Sequence, residues 1–148
     1  MATGVAATAR TFDDAGRTAD TAYVYRVKAV HAGVASRWSA SDLALTTMFL
    51  DDPIVAGSTI VQAAHSTQLR AAIDAVRLLG GLGAATYTGT TPAAVVVIAP
   101  AHVEEMRTRL DEARAALSLP TASYSERPLG ALAVVKAVHI NDLRGGLK

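Results

Sequence analysis

No cysteine occurs in the 148 residues, so disulfides are excluded and the redox compartment is left open. Aromatic residues are scarce at 5%, and much of the 51% apolar content is alanine and valine, so the core is expected to be built from small side chains. Neither sign of charge is in excess: fourteen basic residues meet thirteen acidic ones, interspersed along the chain. Without a basic stripe a nucleic-acid partner is not expected. The longest strongly apolar run, residues 92–101, is about half of what a membrane span needs. Membrane insertion is therefore not expected. Residues 1–10 have no charged stretch leading into an apolar one, so no signal peptide is read there. The length suits one ordinary domain, or two small units sharing a core.

What the sequence does have is a stretch that occurs three times, at residues 60–70, 97–107 and 134–144. The cores read A-A-H-S-T-Q-L-R, P-A-H-V-E-E-M-R and A-V-H-I-N-D-L-R. His65, His102 and His139 share one spacing, and Arg70, Arg107 and Arg144 repeat it, a 37-residue period. With His as position zero, positions +1, +4, +8 and +11 are Ser66/Val103/Ile140, Leu69/Met106/Leu143, Ile73/Leu110/Leu147 and Val76/Ala113. At ~100° per residue these fall within an arc of about 80°, the apolar seam of an amphipathic helix. The pattern predicts helices over 63–79, 100–117 and 137–147, with Pro100 at the favoured first turn. Gly80-Gly81 and Ser118-Leu119-Pro120 act as stops. Leu69 and Leu110 are expected in the core, Arg107 and Glu104 outside it. Between helices Thr86-Tyr87-Thr88 and Ser123-Tyr124-Ser125 keep the period. A linker of about twenty residues can climb back along a helix. Successive helices are then parallel, as in a solenoid, or antiparallel, as in a bundle.

The first fifty residues read differently. T-A-Y-V-Y-R-V-K-A-V at 21–30 alternates, and R-W-S-A-S-D-L-A-L-T-T follows a Gly-containing turn, which predicts a β-hairpin over 23–48. The face expected to need covering carries Tyr23, Tyr25, Val27, Leu43 and Leu45. An isolated ribbon is marginal in water, so helices of the same chain or a second copy should cover it.

This stretch resembles the end of a fibronectin type III domain. The T-x-Y-x-Y-R-V-x-A-V strand, the G-x-x-S-x-W-S turn and the closing D-L-A-L-T-T carry the resemblance. Residues 8–18 resemble the preceding strand and corner, with Arg17 where the corner usually carries a buried Leu. Such a domain needs about 100 residues, so the resemblance implies a start inside the sandwich. The three copies over residues 52–148 resemble a helical repeat, I-x-A-x-H-x-x-E-L-R, found downstream of fibronectin type III domains in bacterial surface proteins. Gln68 and Asp142 replace its Glu, and Ser66 an apolar residue. That resemblance implies an extracellular or cell-envelope origin in the parent protein.

The repeated histidines admit two readings. As packing residues they sit on the shoulder of the seam, hydrogen-bonded to a backbone carbonyl or to Tyr87 and Tyr124. As ligands, His65, His102 and His139 match the His₃ composition of a catalytic zinc centre with an open position for water. Glu105 and Asp142, one turn from His102 and His139, would orient a ligand or act as general base. Antiparallel neighbours would keep the trio from converging. Arg70, Arg107 and Arg144 are expected at the surface, paired with acids such as Asp74 and Asp111. Gly80–Gly83 lacks the Lys-Ser/Thr of a phosphate loop, and no serine sits in a nucleophile elbow.

The sequence thus predicts an α+β chain: a truncated β-ribbon at 1–50 and a three-helix repeat array at 51–148. The leading expectation is a non-catalytic assembly or adhesion module that associates with itself or with a cell-envelope component. The alternative is a small zinc-dependent hydrolase, and only then would a small molecule or peptide be its substrate.

Overall fold

The structure, a computed structural model, describes residues 4–6, 8–9, 11–89 and 98–148. It is α+β, with two small two-stranded antiparallel sheets followed by three helices. The start of the second sequence repeat and most of the apolar run at 92–101 lie outside the described residues.

β1 (Ala22–Tyr25) pairs with β4 (Asp42–Leu45), setting Ala22 opposite Leu45 and Val24 opposite Leu43. β2 (Val30–His31) pairs with β3 (Val34–Ala35) across a turn in which Ala32 and Gly33 both take left-handed backbone, at φ 47° and 81°. That is the geometry whose twist matches a two-residue hairpin. Two serines bridge the irregular middle. The Val27 and Ala29 amides donate to Ser39 Oγ and Ser36 Oγ, each at 2.9 Å, while the Ser39 and Ser36 amides donate back to the Val27 and Ala29 carbonyls. The whole is one interrupted hairpin within the predicted 23–48 region and one residue before it. Residues 8–18, likened to a strand and corner, form no strand among the described residues.

Directly opposed residues share a face, so Ala22, Val24, Leu43 and Leu45 point one way. Ala22 and Leu43 are buried, Val24 and Leu45 pack against the core, and α1 supplies the cover. The expected face is corrected here. Tyr23 and Tyr25 lie on the opposite side, and Val27 beyond them is 71% exposed. Aliphatic side chains pack against a helix without stranding a hydroxyl, whereas the tyrosines keep theirs employed at the surface. Tyr25 Oη donates to Asp14 Oδ2 at 2.9 Å, and Tyr23 Oη accepts the Thr18 amide at 3.1 Å.

α1 (Ala63–Leu79) matches its predicted span, while α2 (Pro100–Ala116) and α3 (Ala137–Gly145) stop one and two residues early. α1 and α2 end in tight reversals, with Leu82 N donating to the Arg77 carbonyl at 2.8 Å and Leu119 N to that of Arg114 at 2.9 Å. Gly81 and Ser118 take the left-handed backbone such an ending requires. Every residue of the predicted seam is buried, from Ser66, Val103 and Ile140 up to Val76 and Ala113.

The linkers fix the helix directions. Leaving α1, the chain doubles back along it. Arg77 Nε donates to the Gly83 carbonyl, Asp74 accepts the Ala85 amide and the Tyr87 hydroxyl, and Arg70 reaches the Thr88 and Gly89 carbonyls. Thr88 meets Glu105 on α2, and Gly89 lies beside His102, one turn nearer the start of that helix. The linker therefore runs toward the N-terminus of both helices, and α1 and α2 are parallel. Residues 120–126 repeat this descent along α2, by way of Arg114, Asp111 and Arg107, and reach Asp142 and then Glu126's partner His139 on α3. Residues 49–54 do the same between α3 and α1. They meet Arg144 and then Asn141 on one side, Gln68 and then His65 on the other. Each helix is thus joined to the next by an extended segment in the groove, and the third groove is filled from the other end of the chain.

Candidate functional site

The three grooves are where the recurring polar residues gather. In each, an arginine five residues past the histidine grips two consecutive carbonyls of the segment. Arg70 donates to Thr88 and Gly89, both at 3.0 Å. Arg107 donates to Ser125 at 2.9 Å and Glu126 at 3.2 Å, and Arg144 to Leu50 at 2.6 Å and Asp51 at 2.7 Å. The planar fork presents two parallel donors to two adjacent acceptors, a match that a point-like ammonium lacks. Behind each fork lies an aromatic ring: Tyr87 and Tyr124 at 5.0 Å from Arg70 and Arg107, Phe49 at 4.9 Å from Arg144. Arg107 and Arg144 are fully buried, which corrects the surface position expected of them. Their positive charge is met by backbone carbonyls, π-faces and one carboxylate each, Glu104 for Arg107 and Asp52 for Arg144, and their Nε atoms make no hydrogen bond.

Three residues past the histidine, an acceptor takes the amide of the segment residue between the aromatic and the gripped pair's second member. Glu105 accepts from Thr88 N at 2.9 Å and from its hydroxyl at 3.0 Å. Asp142 accepts Ser125 N at 2.7 Å, and Gln68 Oε1 accepts Leu50 N at 2.9 Å. A neutral amide oxygen serves as well as a carboxylate, which explains why Gln68 fits the position. One residue earlier, Glu104 accepts Leu129 N at 2.9 Å, and Asn141 exchanges two bonds with Ile54. Glu104 also pairs with Arg107 at 2.8 Å and is thereby a working part of the groove.

The histidines occupy the third turn-position of their helices. Each Nδ1 receives the backbone amide at the helix cap, from Gln62 at 2.9 Å, Ala99 at 3.2 Å and Lys136 at 3.1 Å. This is the backward half of a capping box, with imidazole where Glu or Gln is usual. A backbone N–H can only donate, so Nδ1 must accept and the ring proton sits on Nε2. His65 Nε2 then faces Asp51 Oδ2, and His139 Nε2 faces Glu126 Oε2, both at 3.2 Å. Asp51 and Glu126 hold left-handed backbone at φ 49° and 52°, and Gly89, the counterpart facing His102, holds φ 75°. A Cβ at Gly89 would lie 3.5 Å from His102 Nε2, so the acidic contact of the other grooves is absent at this residue.

The tyrosines bond elsewhere than the packing reading of the histidines supposed. Tyr87 and Tyr124 donate to Asp74 at 3.2 Å and Asp111 at 3.0 Å. Burial first, and the adjacent aspartate second, push both phenols above the usual tyrosine range. Asp74 and Asp111 thus take hydroxyls in place of Arg70, Arg107 and Arg144. Glu126 is held below the usual carboxylate range, chiefly by the hydrogen bond from Lys136 and then by His139.

His65, His102 and His139 therefore sit in three separate grooves, with Glu105 and Asp142 bound to linker amides. Among the described residues no group of three or more His, Asp or Glu side chains is placed to hold a metal ion. A shared His₃ zinc centre does not fit this arrangement. The grip of the arginines on an extended segment was missed in the sequence, although Arg and His recur in step with Tyr87 and Tyr124, while Phe49 stands one residue out of that register. No protein-family model matches the chain, and neither the curated proteins nor the solved structures give a match.

Proposed function

We propose that the chain is a non-catalytic assembly or adhesion module. In this reading residues 51–148 are a closed three-repeat helical array, and residues 1–50 are a ribbon akin to the end of a fibronectin type III domain. The observation that carries it is how the repeated residues are employed. Histidines cap helices, arginines grip linker carbonyls, and Glu105 and Asp142 accept linker amides. Groups committed to holding backbone are poor candidates for turnover, since each would have to abandon a buried partner to meet a substrate. No helix of the described residues is long and apolar enough to cross a membrane. By the resemblances, the module belongs at the cell surface of its parent organism, with itself or an envelope component as partner.

Two measurements on untagged protein test the proposal. Sedimentation velocity across a wide concentration range should show association. Elemental analysis without added chelator should find less than a tenth of an equivalent of transition metal, by the stoichiometry a dedicated zinc site demands. A full equivalent of zinc, lost together with hydrolytic activity on replacing His65, His102 or His139, would reinstate the hydrolase.

A further inference from the structure

Three cations of the interrupted hairpin stand apart from the rest. Among the described residues, every arginine and lysine side chain outside 21–41 lies against a carboxylate or a backbone carbonyl. Arg26, Lys28 and Arg37 have no such partner among the described residues. Residues 21–41 contain no Asp or Glu, although charge is balanced over the whole chain. What Arg26 and Lys28 do meet is Trp38, the chain's one tryptophan: Arg26 Cζ and Lys28 Nζ lie 4.6 and 4.8 Å from its ring centroid. The π-system holds both side chains in place and, unlike a carboxylate, neutralises neither. Two like charges gathered over one ring repel each other, and an anion set against both relieves that repulsion. Residues 25–40 are all exposed, so the pair is open to a partner. The hollow at the hairpin tip, lined by Ala29, His31, Val34 and Ser36 among others, includes none of the three cations. A small anion thus gains no enclosing pocket beside them, and an open surface suits a polymer that brings successive charges.

We infer that Arg26, Lys28 and Trp38 form a docking surface for an acidic polysaccharide that bears carboxylates on its sugar units, with Arg37 adding to the positive field of the hairpin. A uronate carboxylate matches the planar fork of Arg26 and the point charge of Lys28. The apolar C–H face of a sugar ring suits the part of the indole left open, since Trp38 is 39% exposed. Three cations fall short of the ~6–10 phosphate contacts from which sequence-independent nucleic-acid binding draws its strength. The inference rests on the adhesion reading and names the chemistry of its envelope component.

The test uses the full-length chain and a fluorescein-labelled oligogalacturonate. Polarisation should report saturable binding, and unlabelled oligomer should change the tryptophan emission, which arises from Trp38 alone. Arg26→Gln/Lys28→Gln should weaken binding about tenfold. Arg109→Gln/Lys148→Gln, which removes the same charge outside the hairpin, should change it by no more than about twofold. Circular dichroism confirms the fold of each variant. A folded wild-type chain that fails to bind overturns the inference. So does equal weakening by the two double variants, which makes the attraction one of net charge, and so does binding that leaves Trp38 emission unchanged. Equal binding of a neutral dextran oligomer, of polyphosphate or of duplex DNA overturns it too, because the surface then does not select an acidic sugar. Association in sedimentation velocity without oligogalacturonate binding removes this inference and keeps the assembly reading. Binding by a chain that stays monomeric keeps this inference and removes self-association.

Discussion

Arg144 donates to the Leu50 carbonyl at 2.6 Å across 94 residues of sequence, with the Phe49 ring under its guanidinium. Phe49 stands where the other two grooves have tyrosine. In those, the hydroxyl reaches an aspartate nine residues past the histidine, Asp74 or Asp111. α3 ends at Gly145, and the corresponding position is Lys148. With no aspartate there, a phenol would have no carboxylate to meet, and phenylalanine supplies the ring alone.

Replacing Arg107 by alanine should cost roughly 3–5 kcal/mol, because it leaves two linker carbonyls and Glu104 without their donor in a buried site. Arg37→Ala on the exposed ribbon should stay within about 0.5 kcal/mol. Urea unfolding followed by circular dichroism compares them, and equal midpoints would contradict the buried grip.

Leu110→Ala should cost about 2–5 kcal/mol as a cavity in the seam. Glu104→Ala, expected from the sequence to be silent, should cost about 1–3 kcal/mol, since Arg107 and the Leu129 amide both lose an acceptor. A silent Glu104→Ala in the same unfolding assay would restore the surface assignment.

Gly146 is packed without room. A Cβ there would lie 2.8 Å from Ala122 Cβ and 3.0 Å from Leu110 Cδ2. Its backbone suits any residue, at φ −72°, so crowding alone is tested. Gly146→Ala should destabilise by about 1–3 kcal/mol. A higher melting temperature would mean the α3 end gives way freely.

His65→Ala and His139→Ala should each lower stability by about 1–2 kcal/mol through loss of the cap amide's acceptor. His65→Gln should recover part of this, because a glutamine at the same position also reaches back to the cap. Loss of stability undiminished in the glutamine variant would point to the Asp51 contact as the larger share.

Alkali should loosen the helices through their tyrosines. The folded pKa of Tyr87 and Tyr124 is raised, so folding favours the neutral phenol. Their contribution is whole below pH about 10 and is lost as pH rises through the unfolded value toward the folded one. Phenolate absorbance should show these two ionising late, in step with loss of helicity. Early, independent titration of all four tyrosines would argue that neither ring is buried.

The helices and their seam were legible because apolar spacing carries their phase, and Leu69, Met106 and Leu143 are buried as that phase requires. Helix direction was not legible. It depends on which side of a helix the linker descends, and the information lies in pairings such as Thr88 with Glu105 that no local pattern displays. Arg107 was misplaced because a charge signals exposure unless its acceptors are known, and beside Glu104 these are two main-chain carbonyls without a sequence signature. The ribbon's first strand was assigned the wrong inner face through the size of Tyr23 and Tyr25, while Leu43 and Leu45 on the second were placed on the covered side. Alternation separates two faces but does not say which one a helix will cover. The histidines were found by their recurrence, and their role was not, since a cap acceptor and a ligand ask the same residue to be present.

The segment at residues 49–54 also changes what it means for α3 to be short. Nine residues, Ala137–Gly145, are too few for an isolated helix to persist in water. In an open stack the outermost helix has one neighbour and frays first, which is why such stacks need special terminal units. α3 is last in sequence yet flanked on both sides, by residues 124–129 and by residues 49–54. Position along the chain and position at an edge are separate properties here: the covalent chain has two ends, while the contact network that holds its helices has none.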